Sequence, residues 1–96
     1  MPSEHRLRAS GEFDMLLADD LRKKWLPAVD RHRSERLVVD LSDVTFMDVS
    51  GLNLIVAVHN LQKRHGGAVV LSAPRPQVRH VLAICGIDQV VEVRDA

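Results

Sequence analysis

Two kinds of apolar pattern alternate along the chain. Leu37-Val38-Val39-Asp40-Leu41 and Ala68-Val69-Val70-Leu71 are short runs rich in β-branched residues, the pattern of strands buried on both faces. Val90-Val91-Glu92-Val93 is a weaker run, and His5-Arg6-Leu7-Arg8-Ala9 alternates as an edge strand does. Between these runs the period becomes helical. Leu17, Leu21, Trp25 and Val29 form one stripe, Asp14 is placed to cap it, and Asp19 and Asp20 stand four residues before Lys23 and Lys24. Pro27 removes a backbone hydrogen bond and crowds the preceding turn, so this helix is expected either to end near Trp25, with a short helix restarting at Pro27, or to kink.

A second helix is expected from about Gly51 to Arg64, apolar around most of its circumference at Leu52, Leu54, Ile55, Val56, Val58 and Leu61. Lys63, Arg64 and His65 suit its C-terminal dipole, and Gly66-Gly67 supplies the left-handed residue that ends it. A third, from about Pro76 to Cys85, places Val78, Val81, Leu82 and Cys85 on one stripe, ends at Gly86 and lets Ile87 pack back on its last turn. The alternation of strands and helices defines an α/β class: a largely parallel, four-stranded sheet with three to four helices and right-handed crossovers. No linker, repeat or low-complexity tract divides residues 1–96, so one domain is expected.

Charge narrows the range of functions. Lys plus Arg and Asp plus Glu are 13 each, a balance without broad attraction for nucleic acid or an anionic membrane. Three aromatic residues, Phe13, Trp25 and Phe46, are too few for a base-stacking surface. The charged start and the short apolar runs point to a cytoplasmic protein without direct membrane binding, and the lone Cys85 is consistent with a reducing compartment.

In open α/β sheets, reactive groups collect where strands end and helices begin. Asp48-Val49-Ser50-Gly51 occupies such a place. Ser50 reads first as an N-cap for the second helix. A phosphate on its hydroxyl would also be tolerated there, at the positive end of the dipole among unpaired N–H groups, and would add about −1.5 to −2 charges beside Asp48. Local physics leaves both readings open.

The segment from Leu37 to Leu52, with Phe46-Met47-Asp48-Val49-Ser50-Gly51-Leu52 at its end, resembles the central signature of STAS-domain anti-sigma-factor antagonists. Gly66-Gly67-Ala68-Val69-Val70-Leu71 and the stretch from Val78 to Ile87 resemble the family's next strand and helix, and Gly11-Glu12-Phe13-Asp14 is similar to its Gly-Glu-Leu-Asp turn. The resemblance covers about Leu7 to Val93. It implies a STAS fold and a non-enzymatic, cofactor-free bacterial regulator of transcription that works by partner switching. The unphosphorylated form would bind an anti-sigma factor that is also a serine kinase, releasing a sigma factor; phosphorylation at Ser50 would switch it off, and a serine phosphatase would restore it. On this mapping Asp48, Val49, Ser50, Gly51 and Asn53 would meet the partner, while Leu52 and Ile55 would hold the helix to the core or partner. The alternative is a constitutive STAS subunit of a lipid-transport ATPase or stress-sensing complex; a weak homodimer also stays open.

Two departures from the family pattern carry expectations. Asn53 replaces the usual second glycine and is expected to reach back to the cap at Ser50. Only about ten residues precede Gly11, so the sheet is expected to lack one N-terminal edge strand. Other signals point elsewhere. No two histidines have the spacing of a metal pair on one helix face, Cys85 is expected to pack as a small hydrophobe, and the adjacent Asp19-Asp20 point apart. No Walker-type glycine loop is present, and no lysine follows a late strand as in an aspartyl-phosphate receiver. Lys63, Arg64, Arg75 and Arg79 are a candidate basic patch for an acidic partner.

Overall fold

The computed structural model describes residues 3–33 and 35–95. Strand β1 (Glu4–Phe13), helix α1 (Met15–Arg31), β2 (Arg36–Met47), α2 (Val49–Arg64), β3 (Ala68–Ser72), α3 (Pro76–Ile84), a 3-10 turn (Ile87–Gln89) and β4 (Glu92–Arg94) follow one another. The strands lie side by side in sequence order, every neighbouring pair parallel. This is the expected α/β architecture, with three α-helices. β1 takes one edge, so among the described residues no strand precedes it.

Successive side chains on a strand point to opposite faces. Leu37, Val39 and Leu41 of β2 and Val69 and Leu71 of β3 join one core with Leu21, Trp25 and Val29 of α1, Leu54, Ile55 and Val58 of α2, and Val78 and Leu82 of α3. Phe13 and Trp25 meet edge to face in it, with ring centroids 5.8 Å apart. Val38 and Val70, paired across β2 and β3, lie outside this cluster although both are buried. Alternation puts them on the face that carries the ion pairs Arg6 to Asp40 (3.6 Å), Arg8 to Asp40 (3.9 Å) and Glu4 to Arg36 (3.9 Å). Arginine stems of this kind cover apolar surface while their heads stay in water.

Several local expectations are corrected. α1 runs unbroken through Pro27, so no fresh helix starts there. Pro27 is exposed, and the buried Trp25, Ala28 and Val29 anchor the helix on both sides of it. Gly11-Glu12-Phe13 is the end of β1 rather than a turn. Gly11 has φ +85°, and the register against β2 shifts between Gly11 and Glu12, as at a β-bulge.

β2 extends past Leu41 because the end of β1 keeps pairing with it, Ser10 with Asp43 through Phe13 with Met47, and at the register shift before that stretch Asp40 turns its side chain onto the following backbone. Its Oδ1 accepts from the Ser42 N–H (3.0 Å) and hydroxyl (2.7 Å). These bonds, with Arg6 and Arg8 nearby, hold the carboxyl below its usual pKa of 3.8. α3 ends at Ile84, where Gly86 (φ +75°) turns the chain, so Cys85 is exposed instead of packed on the apolar stripe. Ile87 does pack against the core, and the 3-10 turn delays the last strand to Glu92.

Candidate functional site

The site is built where β1 and β2 end together. Phe13 pairs with Met47 in the sheet, and the Asp48 N–H donates to the Phe13 carbonyl at 3.2 Å. Each strand then passes into a helix through an aspartate. Asp14 accepts from the Leu17 N–H at 3.1 Å to cap α1, and Asp48 accepts from the Ser50 N–H at 2.8 Å to cap α2. The cap of α2 is therefore Asp48 and not Ser50, a correction with a clear cause: the chain is still extended at Asp48 (φ −107°, ψ −171°), and its carboxylate satisfies the first-turn N–H.

Ser50 thus lies within the first turn of α2, half-buried, and its hydroxyl makes no hydrogen bond among the described residues. Asn53 is exposed and does not reach back to it. Gly51 faces inward. A Cβ there would stand 2.9 Å from Phe13 Cγ and 3.0 Å from Met47 Cγ, so only glycine lets the first turn of α2 rest on the strand ends. Leu52 and Ile55 are both buried in the core.

Ser50 opens onto a cavity of about 190 Å³ lined by Met15, Ala18, Asp19, Arg22, Ser50 and Asn53. Large apolar side chains stand exposed at the same end of the sheet: Met15 (68%), Leu16 (78%), Phe46 (51%) and Val49 (65%). Of these only Val49 is among the residues expected at the site from sequence. Met15 and Leu16 escape a linear reading because they stand just before the apolar stripe of α1, off its face, and come to the Ser50 end of the molecule only through the pairing of β1 with β2.

The candidate basic patch is not assembled. Lys63 and Arg64 end α2 at one end of the parallel sheet, whereas Arg75 and Arg79 begin α3 at the other. Arg75 Nε donates to the Ser42 carbonyl (2.9 Å), Gln77 Nε2 to the Thr45 carbonyl (3.3 Å), and Arg79 pairs with Asp95 (2.9 Å). These contacts fix α3 against the extension of β2. Among the described residues no group of three or more His, Cys, Asp or Glu could hold a metal ion, and no helix is long and apolar enough to cross a membrane.

The parallel α/β sheet with this strand-to-helix junction is the arrangement that the sequence resemblance implies. The STAS domain family model matches residues 4–96, and the chain belongs to that family. It is 30% identical over 89 residues to an anti-sigma F factor antagonist of Paenibacillus polymyxa, covering 93% of this chain and 76% of that protein. An anti-sigma factor antagonist from Mycobacterium paratuberculosis superposes with a TM-score of 0.85 at 26% identity, over 97% of this chain and 78% of the other. The Bacillus cell fate determinant SpoIIAA in its phosphorylated form has a TM-score of 0.73 at 21% identity, over 97% and 84%, a likeness of fold.

Proposed function

We propose that this protein is a cytoplasmic, non-enzymatic anti-sigma-factor antagonist, switched by phosphorylation of Ser50. In its unphosphorylated form it binds an anti-sigma factor with serine kinase activity and frees a sigma factor; a serine phosphatase reverses the modification. The observation that carries this reading is the placement of Ser50: a hydroxyl not used in capping, half-buried in the first turn of α2 and facing a cavity that Met15 also lines, at the end of the sheet where Leu16, Phe46 and Val49 are exposed too. An unengaged hydroxyl is available for transfer, and exposed apolar side chains at the same end of the sheet are the composition of a contact surface. The relatives named as anti-sigma factor antagonists support the same reading.

The chemistry asked of this chain is modest. Asp48 fixes the first turn, Gly51 lets that turn sit low on the strand ends, and Ser50 accepts the phosphoryl group supplied by ATP on the partner. Asp48, Val49 and Asn53 form the polar and apolar rim that the partner reads. Added charge on a partly apolar contact surface disrupts an interface through desolvation and like-charge repulsion with Asp48. The test is incubation with the cognate kinase, ATP and magnesium, followed by mapping of the phosphate. Stoichiometric modification of Ser50, absent from Ser50→Ala, is expected; an unmodified Ser50 overturns the reading.

A further inference from the structure

The cavity beside Ser50 has a second wall, made by α1. Of its two charged lining residues, Asp19 is paired with Lys23 at 3.6 Å, whereas Arg22 has no ion-pair partner among the described residues. Lys24, the next cation along the helix, is held by Asp20 at 3.5 Å. Arg22 is thus a guanidinium with unused donors, in the same small cavity as a serine on the neighbouring helix.

We propose that Arg22 is the receptor for a phosphate monoester on Ser50, tying α1 to α2 when that residue is modified. This rests on Ser50 being the phosphoacceptor. A planar guanidinium offers two parallel N–H donors to phosphate oxygens, which an ammonium cannot. The first turn of α2 carries Ser50 itself, so the positive end of that helix lies beside the modified side chain although the Ser50 N–H is held by Asp48. Two carboxylates oppose a dianion there: Asp48, which accepts from the Ser50 N–H at 2.8 Å, and Asp19 in the cavity lining. Arg22 is the one cation in that lining and so supplies the compensating charge. The phosphate would be drawn across the cavity toward α1, close to Met15, and the modified protein would present its partner with a filled, anionic cavity where the unmodified one has an open cavity of mixed polar and apolar lining.

The experiment needs no kinase. Phosphoserine is placed at position 50 during synthesis, and its second ionisation is followed by phosphorus NMR in the wild type, Arg22→Gln and Arg22→Lys. That ionisation is ordinarily near pH 6. We expect it to lie lower in the otherwise wild-type protein than in Arg22→Gln by about half a unit or more, as for a group beside an opposite charge, with Arg22→Lys between them. Arg22 is exposed, so the unphosphorylated variants are expected to melt with the wild type, which separates a phosphate effect from a folding defect. Coincident titrations in wild type and Arg22→Gln would overturn the role of Arg22 while leaving Ser50 as phosphoacceptor intact. A kinase that ignores Ser50 would do the reverse.

Discussion

The two ends of the sheet differ in how their side chains are engaged, although each leaves large apolar residues exposed. At the end where β1 and β2 pass into helices, four large apolar side chains are exposed, a cavity lies open and the Ser50 hydroxyl is unengaged. At the other end polar groups are tied down. Gln62 is fully buried, with Nε2 donating to the Glu35 carbonyl at 2.5 Å while its Oε1 has no partner among the described residues, and Gly67 lies directly against it. His32 contacts Glu35 at 3.1 Å, His65 contacts Asp30 at 3.0 Å, and the His5 and His32 rings stack 3.7 Å apart. One end holds the chain together, which leaves the other free to carry a surface that is poor for stability and suited to binding.

The largest effect is expected from breaking the tied end. A Cβ on Gly67 would fall 2.0 Å from Gln62 Nε2 and 2.7 Å from the Glu35 carbonyl, and the carbonyl is backbone that cannot swing away. Gly67→Ala is expected to lower unfolding free energy by about 2–3 kcal/mol in urea titration. At the open end the change with the next largest expected effect is loss of the α2 cap. Asp48→Ala is expected to cost about 1 kcal/mol by the same measurement, with no gain of a substitute cap from Ser50.

A smaller effect separates the ends by pH. Burial, with His32 and then Arg31 as like charges outweighing Glu35, holds the His5 imidazole below its ordinary pKa of 6.5. A folded-state pKa lowered in this way contributes stability above pH 6.5 that is lost as pH falls through the folded value. The urea midpoint is therefore expected to fall on acidification below about pH 6.5, and His5→Gln to flatten that fall. A midpoint that rises on acidification would contradict the sign. The open end has no matching dependence, since Ser50 does not titrate in this range.

Much of this was readable along the chain, and what was missed has physical causes. Gly66 and Gly86 announced their left-handed turns, and the apolar runs announced β2 and β3, because these are local or strictly periodic signals. The cap was misplaced because Asp48 and Ser50 are both good capping residues, and only the extended backbone at Asp48 decides between them. Of the break or kink that Pro27 predicts, tertiary packing of Trp25, Ala28 and Val29 overrides the break. Cys85 followed the right period but fell one residue past the end of its helix. Gln62, Met15 and Arg22 gave no local signal, because their roles depend on which elements the parallel sheet brings together.

The central claim is that the open end is a binding face switched by charge at Ser50. Its most direct test is the affinity of wild type, Ser50→Ala and Ser50→Asp for the cognate anti-sigma kinase, measured without ATP turnover. We expect wild type and Ser50→Ala to bind alike and Ser50→Asp to bind at least about tenfold more weakly, a difference near 1.4 kcal/mol. Equal affinity of all three would contradict the account.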